Sequence, residues 1–136
     1  MKKNLKEQLD KLWATTINSY EFDILSNSIT FEIESLWSGK VEHYTVRFLK
    51  VNTWYFVKGC AEFRKEINDP EPWECLEIST IDIVDNVKMV IDDELNILER
   101  YNSEVNVCIE IWSSLLLIEA EAIEVDGVTY PLPCKK

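Results

Sequence analysis

The stretch from Ser28 to Lys50 constrains this chain most, because two runs of alternating side chains meet there at a turn of Ser38, Gly39 and Lys40. Apolar residues take every second position of both runs: Ile29, Phe31 and Ile33 in the first, and Tyr44, Val46 and Phe48 in the second. Polar and charged residues take the positions between them: Thr30, Glu32, Glu34, His43, Thr45 and Arg47. Successive side chains of a strand point to opposite faces, so the pattern predicts a β-hairpin with one buried and one solvated face.

The last third of the chain continues this alternation. Apolar residues recur at Val105, Val107, Ile109 and Ile111, and the stretch from Leu115 to Val125 begins with a strongly apolar run. Asp126 and Gly127 form a dipeptide typical of two-residue hairpin turns. The pattern Val128, Tyr130, Leu132 indicates a last strand, and Pro131 and Pro133 place it at a sheet edge or end it early, because proline has no N–H to donate.

The N-terminal segment has a different period. Apolar residues at helical spacing, with charged residues opposite, predict an amphipathic helix of about four turns within residues 4–18. The apolar set is Leu5, Leu9, Leu12, Trp13 and Ile17. We expect this helix to cover one side of a sheet. A short strand is predicted at Tyr20–Leu25, and Asn27 marks the turn into the hairpin.

The middle of the chain is the least regular. The apolar run Trp54–Val57 predicts a strand beneath the helix or a loop, and both Trp54 and Trp13, which lies on the apolar side of the helix, are assigned to the core. The proline-containing stretch Glu62–Glu74 predicts an irregular excursion, anchored by Trp73. A long strand resumes at Cys75, and a change of phase predicts a bulge or bend near Ser79 or Thr80. Val87–Ile91 suggests a further strand, and Asp92–Glu94 a capped helical turn.

Together these elements predict an α+β fold that is mainly β, with the N-terminal helix packed on an antiparallel curled sheet or β-sandwich. Strands follow one another in hairpin order, without the strand–helix alternation of parallel sheets. At 136 residues the chain fits a single domain spanning residues 1–136. A chain of this size buries roughly two-thirds of its unfolded surface, which is enough for one core.

The net charge restricts the classes of partner. Fourteen basic and twenty-five acidic side chains give a formal charge of −11, which repels nucleic acid and anionic membranes and attracts a cationic protein. The acidity could equally serve solubility alone. The N-terminus has no signal-peptide pattern, and the chain has no apolar run near the roughly 20 residues that span a bilayer, so we expect a cytoplasmic protein.

No catalytic, metal or cofactor motif is evident. The four cysteines, Cys60, Cys75, Cys108 and Cys134, lack C-x-x-C spacing, so free thiols are expected rather than a zinc site. His43 is the single histidine and a conceivable general base, but no motif places a nucleophile beside it. The acidic run Asp92–Glu94 lacks the spacing of a calcium loop, and the lone glycines exclude a phosphate-binding loop. We therefore expect no enzyme activity and no cofactor.

Six residues are candidates for partner binding. Trp112 follows Cys108 and Glu110 on the face opposite the apolar alternation, and an aromatic side chain on an acidic face is typical of a binding anchor. Glu119 with Glu121, and Glu32 with Glu34, form two rows of carboxylates. If such rows were neighbours, their repulsion would be relieved by a cationic partner. Packing beneath the helix or a loop is the alternative role of Trp112.

Several segments resemble the YxiG-like proteins of Bacillus and related Gram-positive bacteria, over nearly the whole chain except residues 60–74. The similar segments are Leu12-Trp13, Ile17–Tyr20, Asn27–Phe31, Leu76–Ile81, Glu110–Ala120 and Asp126-Gly127. These are strand and turn motifs, not active-site motifs. The resemblance implies a small cytoplasmic protein, and because some members lie beside secreted polymorphic toxins, it also implies an immunity role.

Our leading hypothesis is therefore a non-enzymatic, immunity-type module that binds and neutralises a basic toxin domain. The alternative is a β-sandwich that holds a small apolar ligand between helix and sheet, in a pocket lined by Trp13, Trp54 and Phe56. An enzyme that uses His43 and a carboxylate is a third hypothesis.

Overall fold

A computed structural model describes residues 4–37, 40–58, 77–90, 102–111 and 114–132. It contains one short helix and nine strands within these ranges. Their bounds are α1 Leu5–Asp10, β1 Thr15–Asp23, β2 Ser28–Trp37, β3 Lys40–Leu49, β4 Thr53–Val57, β5 Glu77–Met89, β6 Ser103–Ile111, β7 Ser114–Glu119, β8 Ala122–Val125 and β9 Val128–Pro131. The fold is thus mainly β, as the alternating patterns predict.

The nine strands form one antiparallel sheet in the order β4-β7-β6-β5-β1-β2-β3-β8-β9. Only residues 50–52 separate β3 from β4, and only residues 120–121 separate β7 from β8, although the strands of each pair lie far apart in this order. The sheet must therefore curl until its two ends meet at these connections. The backbone joins them there, since Asn52 N–H donates to the carbonyl of Glu119 at 2.9 Å and Glu121 N–H donates to that of Leu49 at 3.1 Å.

The hairpin predicted between Ser28 and Lys50 is confirmed as β2 and β3. Its register pairs Ile29 with Phe48, Phe31 with Val46 and Ile33 with Tyr44, so the apolar side chains share one face. Except for the partly buried Tyr44, these residues are at most 2% exposed and belong to the core. The polar positions between them face outward.

The helix is shorter than residues 4–18. It ends at Asp10, a turn occupies residues 11–14, and Thr15 already begins β1. Ala14 takes a left-handed conformation (φ 61°), and its N–H donates to the carbonyl of Ile78 at 2.7 Å, while the Thr15 hydroxyl donates to the carbonyl of Leu12. These tertiary and local bonds replace the helix that the residue types of this segment favour. The strand predicted at Tyr20–Leu25 instead begins at Thr15 and ends at Asp23, and Ile24 and Leu25 lie exposed in the turn that follows.

The predicted irregularity near Ser79 and Thr80 is confirmed. The register between β5 and β6 shifts between Ile78 and Thr80, and again between Ile83 and Val87. The separate strand expected at Val87–Ile91 is therefore, as far as Met89, the end of β5. The Asp126-Gly127 turn is also confirmed, with positive φ at both residues, and β9 is an edge strand as its proline predicts.

Some predictions fall outside the described residues. They concern the excursion at Glu62–Glu74 with Trp73, the helical turn at Asp92–Glu94, three of the four cysteines, and the tip of the first hairpin at Ser38 and Gly39. Trp112, the proposed anchor, also lies outside them.

Candidate functional site

The outer face of β1, β2, β3 and β8 carries a continuous set of polar and acidic side chains. One row crosses all four strands, because Glu21 pairs with Thr30, Thr30 with Arg47, and Arg47 with Glu124. Ser19, Glu32 and Thr45 form the next row. The residues that alternate with these rows on β2, β3 and β8 point into the core, so the register brings the polar side chains together on the other face.

We call this surface the acidic face and define it by six carboxylates around one guanidinium. The carboxylates belong to Glu21, Asp23, Glu32, Glu34, Glu124 and Asp126, and the guanidinium to Arg47. Glu21, Glu32, Asp126 and Arg47 are exposed, and the others are half-buried. The excess of carboxylates gives this side of the sheet a negative field that would draw in cations.

Hydrogen bonds orient the carboxylates of the acidic face. Glu32 accepts from the Thr45 hydroxyl at 2.8 Å, and Glu34 accepts from the Asn18 side-chain amide at 2.9 Å. Asp126 accepts from the Thr45 backbone N–H at 2.9 Å, which fixes the β8–β9 turn beside β3. These three carboxylates are therefore held in fixed orientations.

Asp23 lies at the end of the acidic face, beside the β1–β2 turn. Its carboxylate accepts from the backbone N–H groups of Leu25 and Ser26 at 3.0 and 3.1 Å. Hydrogen bonds from Ser26, from its side chain first and then its backbone, lower the pKa of Asp23, with a smaller contribution from Leu25. The group thus keeps its negative charge further into acid than a free aspartate does.

The predicted site residues that the structure describes lie in three places. Glu32 and Glu34 lie on the acidic face. Glu119 instead lies at the curl, where its carboxylate accepts from the Glu104 N–H at 3.0 Å and from the Asn52 amide at 3.3 Å. Glu121 pairs there with Lys50, with 3.5 Å between Nζ and Oε2. Glu110 is exposed on β6.

The two rows of glutamates are not neighbours. Glu32 lies opposite Ser19 and Thr45, and Glu34 opposite Thr16 and His43. The cross-strand repulsion that adjoining rows would have caused therefore does not arise between them.

Sequence reasoning missed four carboxylates of the acidic face: Glu21, Asp23, Glu124 and Asp126. The alternation around Tyr20–Leu25 already places Glu21 and Asp23 on one side of a strand. They pair with Thr30 and Ser28 across the turn that Asn27 predicts, so they could have been found from the sequence. Glu124 joins the face through the pairing of β8 with β3, which lies far from it in the chain, and alternation carries no information about such a pairing.

His43 lies exposed on β3, across from Glu34. His43 is open to water there, whereas Glu34 is half-buried and its carboxylate accepts a hydrogen bond from Asn18. Within the ranges that the structure describes, no three histidine, cysteine, aspartate or glutamate side chains come close enough to hold a metal ion.

The aromatic residues of the alternative pocket are more exposed than expected. Trp13 and Trp54, both assigned to the core from sequence, are 38% and 43% exposed, and Phe56 is 50% exposed. Trp13 lies against β5, where its indole N–H donates to the carbonyl of Ile81 at 3.3 Å, while Trp54 lies on β4 with its ring 4.7 Å from that of Phe22. The core assignment of both tryptophans is thus wrong.

The comparisons with known proteins give one match. A family model described as YxiG-like protein matches residues 5–130. No curated protein and no solved structure matches the chain. Among the described residues, no helix has the length and apolar character needed to cross a membrane.

Proposed function

This chain belongs to the YxiG-like family, and from that premise we propose that it is a protein-binding module without enzymatic activity, which neutralises a cognate basic toxin domain by covering it. The observation that carries the proposal is the acidic face. Its carboxylates come from β1, β2, β8 and the β8–β9 turn, so a basic surface would meet a broad set of charges at positions that the sheet fixes.

The charge distribution fits a partner that must be captured quickly. A formal charge of −11 attracts a cationic protein over long distances, and carboxylates concentrated on one face favour an approach to that face. Such steering accelerates association and weakens as salt screens the charges, with a Debye length of about 8 Å at physiological ionic strength.

Arg47 gives the acidic face a feature that can select among cationic partners. Its Nε donates to the Thr30 hydroxyl at 3.4 Å, and the register places Glu124 beside it. A uniformly basic surface would meet repulsion at this point, whereas a basic surface with a carboxylate or carbonyl oxygen opposite Arg47 would gain a contact. Interfaces commonly use such a mismatch to reject wrong partners.

The kinetics of binding test the proposal. The partner to use is the toxin domain encoded beside this gene, and the measurement is the association rate at low and high salt. We expect Glu21→Lys with Glu32→Lys to slow association roughly tenfold at low salt, because these two exposed carboxylates lie in adjacent rows of the acidic face. Asp10→Lys with Asp85→Lys is the matched control, since both residues are exposed on other elements and the net charge changes equally.

The control should slow association much less than the acidic-face pair. An association rate that is indifferent to salt and to both pairs would mean that the acidity serves solubility alone. Trp112→Ala belongs to the same series and should mainly speed release, as expected of a central aromatic anchor. His43→Ala should leave neutralisation of the toxin unchanged. If this variant no longer neutralises the toxin, the enzyme hypothesis is favoured instead.

A further inference from the structure

The turn between β1 and β2 presents two large aliphatic side chains to solvent. Ile24 and Leu25 are 78% and 97% exposed, which makes them the two most exposed large apolar residues among those that the structure describes. Turns usually carry glycine, proline, asparagine, aspartate or serine, because these residues favour turn conformations. Single apolar residues on a surface need no explanation, but an adjacent pair in a turn leaves a contiguous apolar surface in water.

Hydrogen bonds hold this turn in one conformation. The Asp23 carboxylate accepts from the N–H groups of Leu25 and Ser26 at 3.0 and 3.1 Å. Asn27 takes a left-handed conformation (φ 55°), and its carbonyl accepts from the Val51 N–H at 2.8 Å, which ties the turn to the connection between β3 and β4. A segment that is ordered before binding loses little conformational entropy when a partner covers it.

The surroundings of the turn are acidic. Ser26 of the turn lines one end of an open hollow of about 280 Å³ in the acidic face. Glu21 and Asp23 line the β1 side of this hollow, and Arg47 lines its β3 side. A basic side chain that enters beside β1 would meet two carboxylates, whereas the phosphate groups of an anionic membrane would be repelled by them. Charge complementarity therefore favours a cationic protein as the surface that covers Ile24 and Leu25.

We propose that Ile24 and Leu25 are the apolar anchor of the interface, and that they insert into a hydrophobic pocket of the basic partner whose rim carries a lysine or arginine. The rim residue enters the hollow on the side of Glu21 and Asp23. This inference rests on the proposed function and adds the segment that keeps the partner bound. Exposed charges act mainly on the approach of a partner, whereas burial of an apolar anchor acts mainly on its release. A basic surface without such a pocket would leave both side chains against polar groups and would bind less tightly.

Dissociation kinetics against the toxin domain encoded beside this gene test the inference. We expect Leu25→Ser to speed dissociation roughly tenfold and to change the association rate by less than about twofold. Adding Ile24→Ser should speed dissociation further. Val41→Ser is the matched control, since Val41 is 49% exposed and lies at the end of the β2–β3 hairpin opposite to this turn. It should leave both rates unchanged.

Thermal unfolding of each variant verifies the fold, and if Leu25→Ser does not fold, Leu25→Ala decides. The inference is overturned if the turn variants keep the wild-type dissociation rate, or if Val41→Ser speeds release equally. In either case the proposed function still stands if Glu21→Lys with Glu32→Lys slows association. If the wild-type chain does not bind the toxin domain at all, both the inference and the proposed function are overturned.

A lipid bilayer is the other surface that could cover two exposed aliphatic side chains. Sedimentation with vesicles of phosphatidylcholine, with and without phosphatidylglycerol, tests it. We expect the wild-type chain to remain in the supernatant with both kinds of vesicle. Capture of the wild-type chain that Leu25→Ser abolishes would overturn the inference and assign the turn to a membrane.

Discussion

Tyr44 illustrates how one hydrogen bond changes the chemistry of a single side chain. It lies opposite Ile33 on the β2–β3 hairpin, and its hydroxyl donates to the Glu42 carboxylate. This hydrogen bond, followed by burial and by the charges of Glu42 and Asp126, raises the pKa of Tyr44 to about 12. The folded protein therefore favours the neutral phenol.

The sign of the resulting pH dependence follows directly. A folded-state pKa above the ordinary value of 10.0 contributes stability that is present below pH 10 and lost as pH rises toward about 12. We expect Tyr44→Phe to remove the highest-pH component from a titration of tyrosinate absorbance. Tyr20→Phe, at a position 59% exposed, is the control and should keep that component. If Tyr44→Phe still shows the highest-pH component, the assignment of that component to Tyr44 is contradicted.

The burial of individual residues was predicted well for strands that have one buried face and one solvated face. Ile29, Phe31 and Ile33 are buried, and Glu32 is exposed, as alternation requires. Trp54 was predicted wrongly because it points to the inner face of an edge strand, where neighbouring strands cover only part of the ring. Hydrophobicity predicts that a side chain prefers burial, but the amount of cover depends on which strand lies next to it.

At the level of elements, α1 differs most from its sequence pattern. Its six residues begin after Asn4, whose side chain accepts from the Lys6 N–H at 3.0 Å. Leu9 on the helix and Leu12 in the turn after it are 2% and 0% exposed and belong to the core. The apolar positions of the segment were thus predictable, whereas the end of the helix depends on a bond from Ala14 to β5.

Substitution of one core leucine measures what this segment contributes. Leu12→Ala should lower the free energy of unfolding by about 2–5 kcal/mol, the usual cost of deleting a buried leucine side chain. Lys11→Ala, its exposed neighbour, should change it by less than about 0.5 kcal/mol. Urea denaturation measures both variants. If Leu12→Ala and Lys11→Ala have the same urea midpoint, the N-terminal segment does not stabilise the sheet.

For the whole molecule, the sequence predicts a curled sheet or a β-sandwich, but it does not disclose the strand pairings that produce the curl. Alternation and turn dipeptides identify strands and hairpins, but pairings such as Thr15 with Ile78 and Val46 with Val125 join positions far apart in the chain. The acidic face depends on the second of these pairings, which brings Glu124 beside Arg47, so its complete membership could not be predicted. Its two central glutamates, Glu32 and Glu34, could be predicted, because both lie within one predicted hairpin.

Asn106 is the residue through which the curl can be tested. It is 7% exposed, and its side chain holds the connection between β7 and β8 by donating to the Ala120 carbonyl at 2.7 Å and accepting from the Ala120 N–H at 3.0 Å. Asn106→Leu removes both buried hydrogen bonds and should lower the free energy of unfolding by about 2–4 kcal/mol. Asn52→Ala removes one exposed hydrogen bond of the same region and should cost less than about 1 kcal/mol. If both variants lose a similar amount of unfolding free energy, Asn106 does not stabilise the curl more than an exposed residue of the same region does.

The curl also determines when a growing chain can complete its sheet on the ribosome. Strand β4 is synthesised early, yet its neighbour β7 follows only after β5 and β6, and β3 likewise awaits β8. Until then Trp54 and Phe56 stand on a strand whose neighbour β7 is not yet in place. Long-range pairings of this kind slow folding and leave strand edges open to aggregation. The nascent protein is therefore most vulnerable between the synthesis of β4 and that of β7, a period in which chaperones would matter most.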